Sequence, residues 1–192
     1  MAEKLAQRPS SVIKVVLFGP ESTGKTTLAE MLAKHYNTLW VEEFMRDYLQ
    51  EKWDKEQKVC EPKDMVPIAE GQIKRENELT QKANKLLISD TDLLELKVYS
   101  EAYYESFCDP QLLKHALNNF YDLYFLTYID VPWTPDDLRD KPEDRIGMFK
   151  RFKATLKSSK KPYVILKGDL DERFKTAVRK IDELLKTDRR GV

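Results

Sequence analysis

One eight-residue motif constrains this chain more than any other feature of its sequence. Gly19–Thr26 reads Gly-Pro-Glu-Ser-Thr-Gly-Lys-Thr, which fits the pattern Gly-x-x-x-x-Gly-Lys-Ser/Thr without a mismatch. The apolar run Val12–Phe18 before it predicts a buried strand, and Lys25–His35 after it predicts a helix. A glycine-rich loop in this context turns backbone N–H groups inward and adds the positive end of a helix dipole. The motif therefore predicts a phosphate-binding loop (P-loop) within an α/β sheet.

Two side chains of the loop indicate which phosphates it holds. Lys25 is placed to bridge a β- and a γ-phosphate, and the hydroxyl of Thr26 to bind Mg²⁺. A GTPase is disfavoured, because the nearest match to an Asn-Lys-x-Asp guanine reader, Asn84–Leu87, lacks the aspartate. We therefore expect ATP and Mg²⁺ as cofactors. The residues expected to bind them are Gly19, Glu21, Ser22, Thr23, Gly24, Lys25, Thr26 and Thr27.

The rest of the chain alternates short apolar runs with longer helical periods, which is typical of a parallel α/β sheet. Strands are predicted at Val12–Phe18, Leu39–Val41, Leu86–Ser89, Leu123–Ile129 and Tyr163–Leu166. Helices are predicted at Lys25–His35, from Glu43–Glu51 onward, and at Asp64–Asn84, Asp92–Phe107, Gln111–Phe120 and Leu170–Leu185. The mostly polar stretch Trp53–Glu61 is predicted to be a loop, and Pro132–Lys161 a lid with one helix.

These elements predict an α/β fold of the P-loop NTPase class. We expect three α/β/α layers, a five-stranded and mainly parallel sheet, and a helical lid, as in nucleoside and nucleotide kinases. Residues 1–11 are expected to be a flexible N-terminal extension, and residues 188–192 a C-terminal tail. Residues 12–187 are expected to form a single P-loop kinase domain, with its lid at about 132–150.

Charge and composition exclude several kinds of partner. The 33 lysines and arginines balance 33 aspartates and glutamates, so no net field attracts a nucleic acid or an anionic membrane. No run approaches the roughly 18 apolar residues that cross a bilayer. Cys60 and Cys108 lack metal-ligand or redox spacing and are expected to be reduced. We expect a cytoplasmic protein that binds a small nucleoside-like substrate, with no nucleic acid or membrane partner; the sequence indicates no oligomeric state.

Acidic side chains follow two of the predicted strands. Asp90 comes directly after Leu86–Ser89, where a P-loop protein places its metal-organising carboxylate. Asp92 fits either a helix N-cap or a ligand role. Glu42 and Glu43 follow the second strand, and either could accept the proton of an attacking hydroxyl. Arg46 is spaced to pair with either glutamate, and a surface ion pair is the alternative.

The predicted lid and several aromatic residues supply further candidates. Arg139 and Arg145 could neutralise the transferred phosphoryl group from the lid, although their spacing also fits a solvated charge cluster. Trp133, Tyr48 and Tyr36 are candidates for stacking on a planar base, with core packing as the alternative.

Several motifs, in their order along the chain, resemble the ribosylnicotinamide kinase domain of the bacterial NadR family. They are Gly19–Leu28, Glu43–Tyr48 (Glu-Phe-Met-Arg-Asp-Tyr), Ile68–Gln72 with its Gly-Gln pair, Ser89–Asp92, and Pro132-Trp133 with Asp136–Arg139 and Arg145. The resemblance covers about Val15 to Leu185. The family transfers phosphate from ATP to the ribose 5′-hydroxyl of nicotinamide riboside and so produces nicotinamide mononucleotide.

The resemblance implies a role for each matching residue. Glu43 becomes the better candidate for the base. The residues implied to hold substrate or metal are Arg46, Gln72, Asp90 and Asp92, and those implied to clamp phosphates are Arg139 and Arg145. Trp133, or an aromatic residue near Tyr48, is implied to contact the nicotinamide ring.

Two other functions remain open at this stage. One is a kinase for another nucleoside, deoxynucleoside or nucleotide, and the other is a non-catalytic ATP-binding switch module. With 192 residues, we expect neither the adenylyltransferase domain nor the helix-turn-helix domain of full-length NadR proteins.

Overall fold

A five-stranded parallel sheet forms the middle layer of the structure, a computed structural model that describes residues 2–133 and 144–188. The strands are β1 (Ile13–Phe18), β2 (Leu39–Val41), β3 (Leu86–Asp90), β4 (Leu123–Thr127) and β5 (Tyr163–Leu166). Their order across the sheet is β2-β3-β1-β4-β5, and every neighbouring pair is parallel. The predicted five-stranded α/β sheet is therefore confirmed.

Helices connect the strands and cover both faces of the sheet. They are α1 (Lys25–His35), α2 (Phe44–Glu56), α3 (Met65–Thr80), α4 (Leu93–Tyr103), α5 (Pro110–Asn118), α6 (Arg145–Ser158) and α7 (Leu170–Thr187). Two short 3-10 helices lie at Ala2–Leu5 and Pro62–Asp64. Aspartate side chains accept hydrogen bonds at the N-termini of α4, α5, α6 and α7, and such caps satisfy N–H groups that have no partner within the helix.

The alternation of apolar residues in β1 produces two separate cores. Val16 and Phe18 point to one face, where they pack with apolar residues of α2 to α6. Val15 and Leu17 point to the other face, where they pack with α1 and α7. β1 is the central strand and all its side chains are buried, and its residues Val15–Phe18 form an apolar run that serves both faces of the sheet. The result is the three-layer α/β/α arrangement.

Parallel pairing brings the carboxyl ends of the strands to one edge of the sheet. Leu17 of β1 lies opposite Asp90 of β3, and Phe18 lies opposite Leu126 of β4. The P-loop follows β1 directly, and Glu43 follows β2 at the start of α2. Ligands bind at this edge in open parallel sheets, so the fold gathers the candidate residues at the expected place.

The structure differs from the prediction at Trp53–Glu61, which is a loop only from Gln57 onward, because α2 continues to Glu56. Its polar residues form an exposed helix face with pairs four residues apart, such as Lys55 with Glu51, and such pairs stabilise helices without any apolar stripe. In the predicted flexible extension, Leu5 is fully buried and the side chain of Gln7 donates to Glu76 at 2.8 Å, so this segment packs on the core.

Within residues 2–133 and 144–188, no helix is both long enough and apolar enough to span a bilayer.

Candidate active site

The P-loop is fastened to the end of β4. The hydroxyls of Thr23 and Thr127 are hydrogen-bonded at 2.7 Å, and the Thr23 hydroxyl also donates to the carbonyl of Pro20 at 2.7 Å. Gly19 lies so close to β4 that an added Cβ would stand 2.6 Å from the Thr127 hydroxyl. Its φ of 143° is also a conformation that favours glycine. The first glycine of the motif is therefore required by this close approach.

Lys25 is the buried cation of the loop. Its ammonium donates to the carbonyls of Gly19 at 2.8 Å and Pro20 at 3.2 Å, and it pairs with Glu95 at 3.1 Å. Burial by itself would lower the pKa of Lys25, but the negative charges around it, led by Glu95, outweigh that effect and raise the pKa. Lys25 therefore stays charged, which is the form that can stabilise phosphates.

Thr26 and Asp90 lie together beneath the loop. The Thr26 hydroxyl donates to Asp90 Oδ2 at 2.5 Å, and Asp90 is only 1% exposed. Burial raises the pKa of Asp90, while Lys25, Thr26 and Arg46 oppose that shift. Within the described part of the chain, the buried Oδ1 of Asp90 has no hydrogen-bond partner. A hydroxyl next to a carboxylate with a spare oxygen is an oxygen donor set that suits Mg²⁺.

Glu43 and Arg46 reach the same site from the start of α2. Glu43 occupies the N-cap position of α2, and both residues line a cavity that also contains Lys25 and Thr26. Glu42 is exposed and does not line the cavity. The structure therefore separates the two adjacent glutamates and places Glu43 in the cavity with the P-loop.

The cavity has a volume of about 490 Å³ and two chemically different ends. One end is polar and consists of Glu21–Thr27, Glu43 and Arg46. The other end is mainly apolar and aromatic. Its lining residues are Met45, Leu49, Trp53, Lys58, Val59, Cys60, Met65, Tyr99, Tyr103 and Tyr104. Such a cavity can hold a molecule with one charged, reactive end and one planar, apolar end.

The aromatic wall and Glu95 are functional candidates that the sequence reasoning missed. Glu95, Tyr99 and Tyr103 follow each other at intervals of four residues in α4, so they lie on one face of that helix. This spacing was the available signal. It was missed because aromatic residues on a predicted helix usually contribute to the core.

Four predicted substrate-binding residues, among them Trp133, do not line the cavity. Asp92 is fully buried, accepts from the backbone N–H of Glu95 at 2.9 Å, and accepts from the Tyr124 hydroxyl at 2.9 Å. The hydroxyl of Tyr48 donates to Asp64 at 3.1 Å. Both side chains are thus committed to other partners, and for Asp92 the structure shows the N-cap.

The third, Gln72, supports the start of α2 from α3. Its side-chain oxygen accepts from the backbone N–H of Phe44 at 2.8 Å. The neighbouring Gly71 lies against the Phe44 ring so closely that an added Cβ would overlap it. The Gly-Gln pair therefore holds Phe44, the residue that follows Glu43, in place. This contact links the motif Ile68–Gln72 to the motif Glu43–Tyr48.

The remaining candidates lie at the edge of the site or beyond it. Arg145 donates to the carbonyl of Val131 at 2.8 Å and to that of Ser22 at 3.3 Å, which places it beside the P-loop. Arg139 lies outside the described residues. Trp133 is described but is not among the cavity-lining residues. The Tyr36 hydroxyl donates to Asp182 on α7 at 2.8 Å, away from the cavity.

Comparison with known proteins agrees with this geometry. A sequence model of the family described as AAA domain matches residues 14–173. The trifunctional NAD biosynthesis/regulator protein NadR of Salmonella typhimurium LT2 is 27% identical over 93% of this chain. NadR of Escherichia coli K12 is 26% identical over the same share. The chain spans 44% of the length of each of these curated relatives.

Solved structures give the same result. A crystal structure of NadR in complex with NR has a TM-score of 0.77 and 25% identity, covering 90% of this chain and 51% of that one. A deoxyadenosine kinase from M. mycoides has a TM-score of 0.67 at 14% identity, covering 89% of this chain and all of that one, and this likeness shows a shared fold. The resemblance to NadR predicted from the sequence is confirmed, and the chain belongs to the AAA domain family.

Proposed function

We propose that this protein is an ATP- and Mg²⁺-dependent kinase that phosphorylates the 5′-hydroxyl of nicotinamide riboside, a step of NAD metabolism. The observation that carries the proposal is the shared cavity, in which Lys25, Thr26 and Glu43 stand at one end and an aromatic wall at the other. The NadR structures support it, since one is a complex with NR, the abbreviation of nicotinamide riboside, and another holds NAD and AMP-PNP, an ATP analogue.

The donor end of the cavity suits Mg·ATP. The backbone N–H groups of the P-loop surround the phosphates, and the Lys25 ammonium neutralises the charge that develops on the transferred group. Thr26 and Asp90 would hold Mg²⁺, whose charge helps to neutralise the phosphate oxygens when it is bound. Arg145, beside Ser22 at the outer side of the loop, is placed to contact the phosphates as well.

The acceptor end begins at Glu43. Its carboxylate accepts the proton of the 5′-hydroxyl as the oxygen attacks the γ-phosphorus, and the bond from this phosphorus to the β,γ-bridging oxygen breaks to release ADP. Phosphoryl transfer otherwise requires mainly positioning and charge neutralisation. Arg46, one turn further along α2, contributes a positive charge to the same part of the cavity.

The aromatic end of the cavity suits the nicotinamide ring. In nicotinamide riboside this ring carries a positive charge, and the faces of tyrosine and tryptophan rings attract cations. Tyr99, Tyr103 and Tyr104 come from the end of α4 and Trp53 from α2. Trp53 remains 41% exposed, so a bound ring would bury apolar surface that now faces solvent. These four residues replace Tyr48 and Trp133 as our candidates for ring contact.

Turnover with a panel of acceptors tests the proposal. The purified protein should convert nicotinamide riboside with Mg·ATP at a higher kcat/KM than it converts uridine, cytidine or deoxyadenosine. A preference for one of the other nucleosides would support kinase activity but show that nicotinamide riboside is not the preferred substrate. ATP hydrolysis that no acceptor accelerates would refute the kinase and favour the switch module.

A further inference from the structure

Glu95 lies in the first turn of α4, directly beneath the P-loop, and its side chain is fully buried. Both of its carboxylate oxygens have partners in the loop. Oε1 stands 3.1 Å from the ammonium of Lys25, and Oε2 accepts the backbone N–H of Gly19 at 3.2 Å. None of the sequence motifs includes this residue.

Stability alone does not explain a carboxylate at this place. Removing an ion pair from water is costly, and well-packed apolar residues of similar volume often replace a buried pair without loss of stability. The position of Glu95 relative to the cavity suggests another reason. Lys25 lines the cavity but Glu95 does not, so the carboxylate approaches the ammonium from the protein interior.

The position of Glu95 determines where the N–H groups of Lys25 point. An ammonium has three N–H donors, and here they face the carbonyls of Gly19 and Pro20 and the carboxylate of Glu95. Donor phosphates enter from the cavity side, where they can take over from the two loop carbonyls. The N–H of Lys25 that points to Glu95 can stay in place throughout, because Glu95 lies on the side of the ammonium away from the cavity.

We propose that Glu95 is the positioning residue of Lys25, holding the ammonium from the buried side so that its remaining protons point to the donor phosphates. The proposal rests on the proposed function in so far as Lys25 is taken to act on those phosphates. The negative charges around Lys25, led by Glu95, keep its pKa raised despite burial. Burial in turn raises the pKa of Glu95 to about 8, against the opposing charge of Lys25.

Glutamine is the informative substitution at this position. It keeps the shape of the side chain but offers one acceptor and one donor group, whereas Lys25 and the Gly19 N–H are both donors. One of them must therefore face the NH₂ group. If it is Lys25, the ammonium moves directly; if it is the Gly19 N–H, Gly19 moves, and its carbonyl is itself an acceptor of the ammonium. A displacement of about 1 Å at a reacting centre costs about 10²-fold in rate, so Glu95→Gln should lower kcat on the order of 10- to 100-fold.

The affinity for the donor should respond differently. At a pH above about 8, where Glu95 is ionised despite its raised pKa, Glu95→Gln removes a negative charge from beneath the P-loop, so Mg·AMP-PNP should bind as tightly as to wild type or more tightly. A residue that only shapes the P-loop would weaken nucleotide binding instead. The expected result is therefore a lower kcat, an unchanged KM for the acceptor, and no loss of affinity for Mg·AMP-PNP.

Glu76 provides a matched control for this substitution. It is 1% exposed and pairs with Lys14 at 2.9 Å, so Glu76→Gln disturbs another buried glutamate–lysine pair. Lys14 lies four residues before Phe18 in β1, which places this pair about 13 Å from the P-loop end of the strand. Glu76→Gln should lower the melting temperature and leave kcat within about twofold of wild type, as expected for a site outside the reaction.

The experiment measures kcat with nicotinamide riboside, Mg·AMP-PNP affinity by calorimetry, and melting temperature for the full chain and both variants. In a Lys25→Ala background, Glu95→Gln should cause no further loss of rate, because the two residues act as one unit. An unchanged kcat in Glu95→Gln, weaker Mg·AMP-PNP binding, or a multiplicative loss in the double variant would overturn the proposal.

If Glu95→Gln does not fold, Glu95→Asp takes its place. Aspartate keeps the charge but withdraws the carboxylate, so kcat should fall while nucleotide affinity stays unchanged, and an unchanged kcat would overturn the role. If the wild type phosphorylates none of the nucleosides, the proposed function fails. The same comparison is then made on basal ATP hydrolysis, where Glu95→Gln should again slow turnover without weakening nucleotide binding, and an unaltered rate would refute the positioning role.

Discussion

Replacing Glu43 by glutamine should abolish most of the phosphoryl transfer, whereas the same change at Glu42 should not. The two glutamates are adjacent, but only Glu43 lines the cavity with Lys25, and Glu42 is exposed. Glutamine keeps the size of the side chain and removes the oxygen that can accept a proton. The pair therefore separates the loss of a base from the general effect of losing one negative charge at this edge of the sheet.

The magnitude follows from the role assigned to the carboxylate. Proton transfer to a positioned side chain typically contributes about 10²–10⁴-fold, which corresponds to about 2.7–5.4 kcal/mol of the barrier at 1.36 kcal/mol per factor of ten. Glu43→Gln should lower kcat by that factor, and Glu42→Gln should stay within about threefold, as expected for an exposed side chain. The affinity for Mg·ATP should hardly change in either variant, because the P-loop is intact.

The assay is kcat for both variants with nicotinamide riboside, uridine and cytidine as acceptors, with AMP-PNP affinity as the control for folding of the donor site. If Glu42→Gln were the inactive variant, Glu42 would be the base and the role assigned to Glu43 would be wrong. If both variants kept wild-type rates, no carboxylate after β2 would act as the base, and the positioning of the hydroxyl would account for catalysis at this point.

Three other substitutions test the remaining parts of the site. Lys25→Ala should lower kcat on the order of 10³-fold with the fold retained, because one charge on the transferred phosphoryl group is lost; a rate within tenfold of wild type would exclude the donor assignment. Gly71→Ala should reduce both melting temperature and kcat, since the new Cβ overlaps the Phe44 ring and shifts the start of α2; a variant with normal rate and stability would show that this contact is unimportant. Arg145→Ala should lower kcat more than it raises the KM for the acceptor, because the residue lies beside the loop carbonyl of Ser22 and acts on the phosphates; equal, small effects would return it to the surface.

The sequence was informative wherever a function depends on the backbone and its immediate neighbours. The P-loop lies between β1 and α1 as predicted, and Asp90 ends β3, because these positions depend on local strand and helix boundaries. Glu43 could be selected over Glu42 only through the resemblance to NadR. The structure adds an independent reason, since the turn from β2 into α2 directs one side chain to the cavity and the other to solvent.

The sequence was least informative about the direction of polar side chains. Gln72 and Asp92 occur in family motifs, yet the first accepts the N–H of Phe44 and the second caps α4. Each supports a backbone turn next to the site, and each could only be assigned after the packing of α3 and α4 was known. A motif marks residues that the site needs, and some of them act by holding the chain in place.

Helix α4 shows why the missed residues belong together. Asp92 caps its first turn, Glu95 contacts the P-loop from beneath, and Tyr99 and Tyr103 continue the same face towards the aromatic end of the cavity. From Glu95 to Tyr103 the helix rises about 12 Å at 1.5 Å per residue. One rigid element thus fixes the distance between the cation that would contact the phosphates and the rings that would hold the base. An acceptor must reach the transferred phosphoryl group with its 5′-hydroxyl while its ring contacts the tyrosines, so we expect the length of the molecule, as well as the chemistry of its ring, to be a condition for transfer.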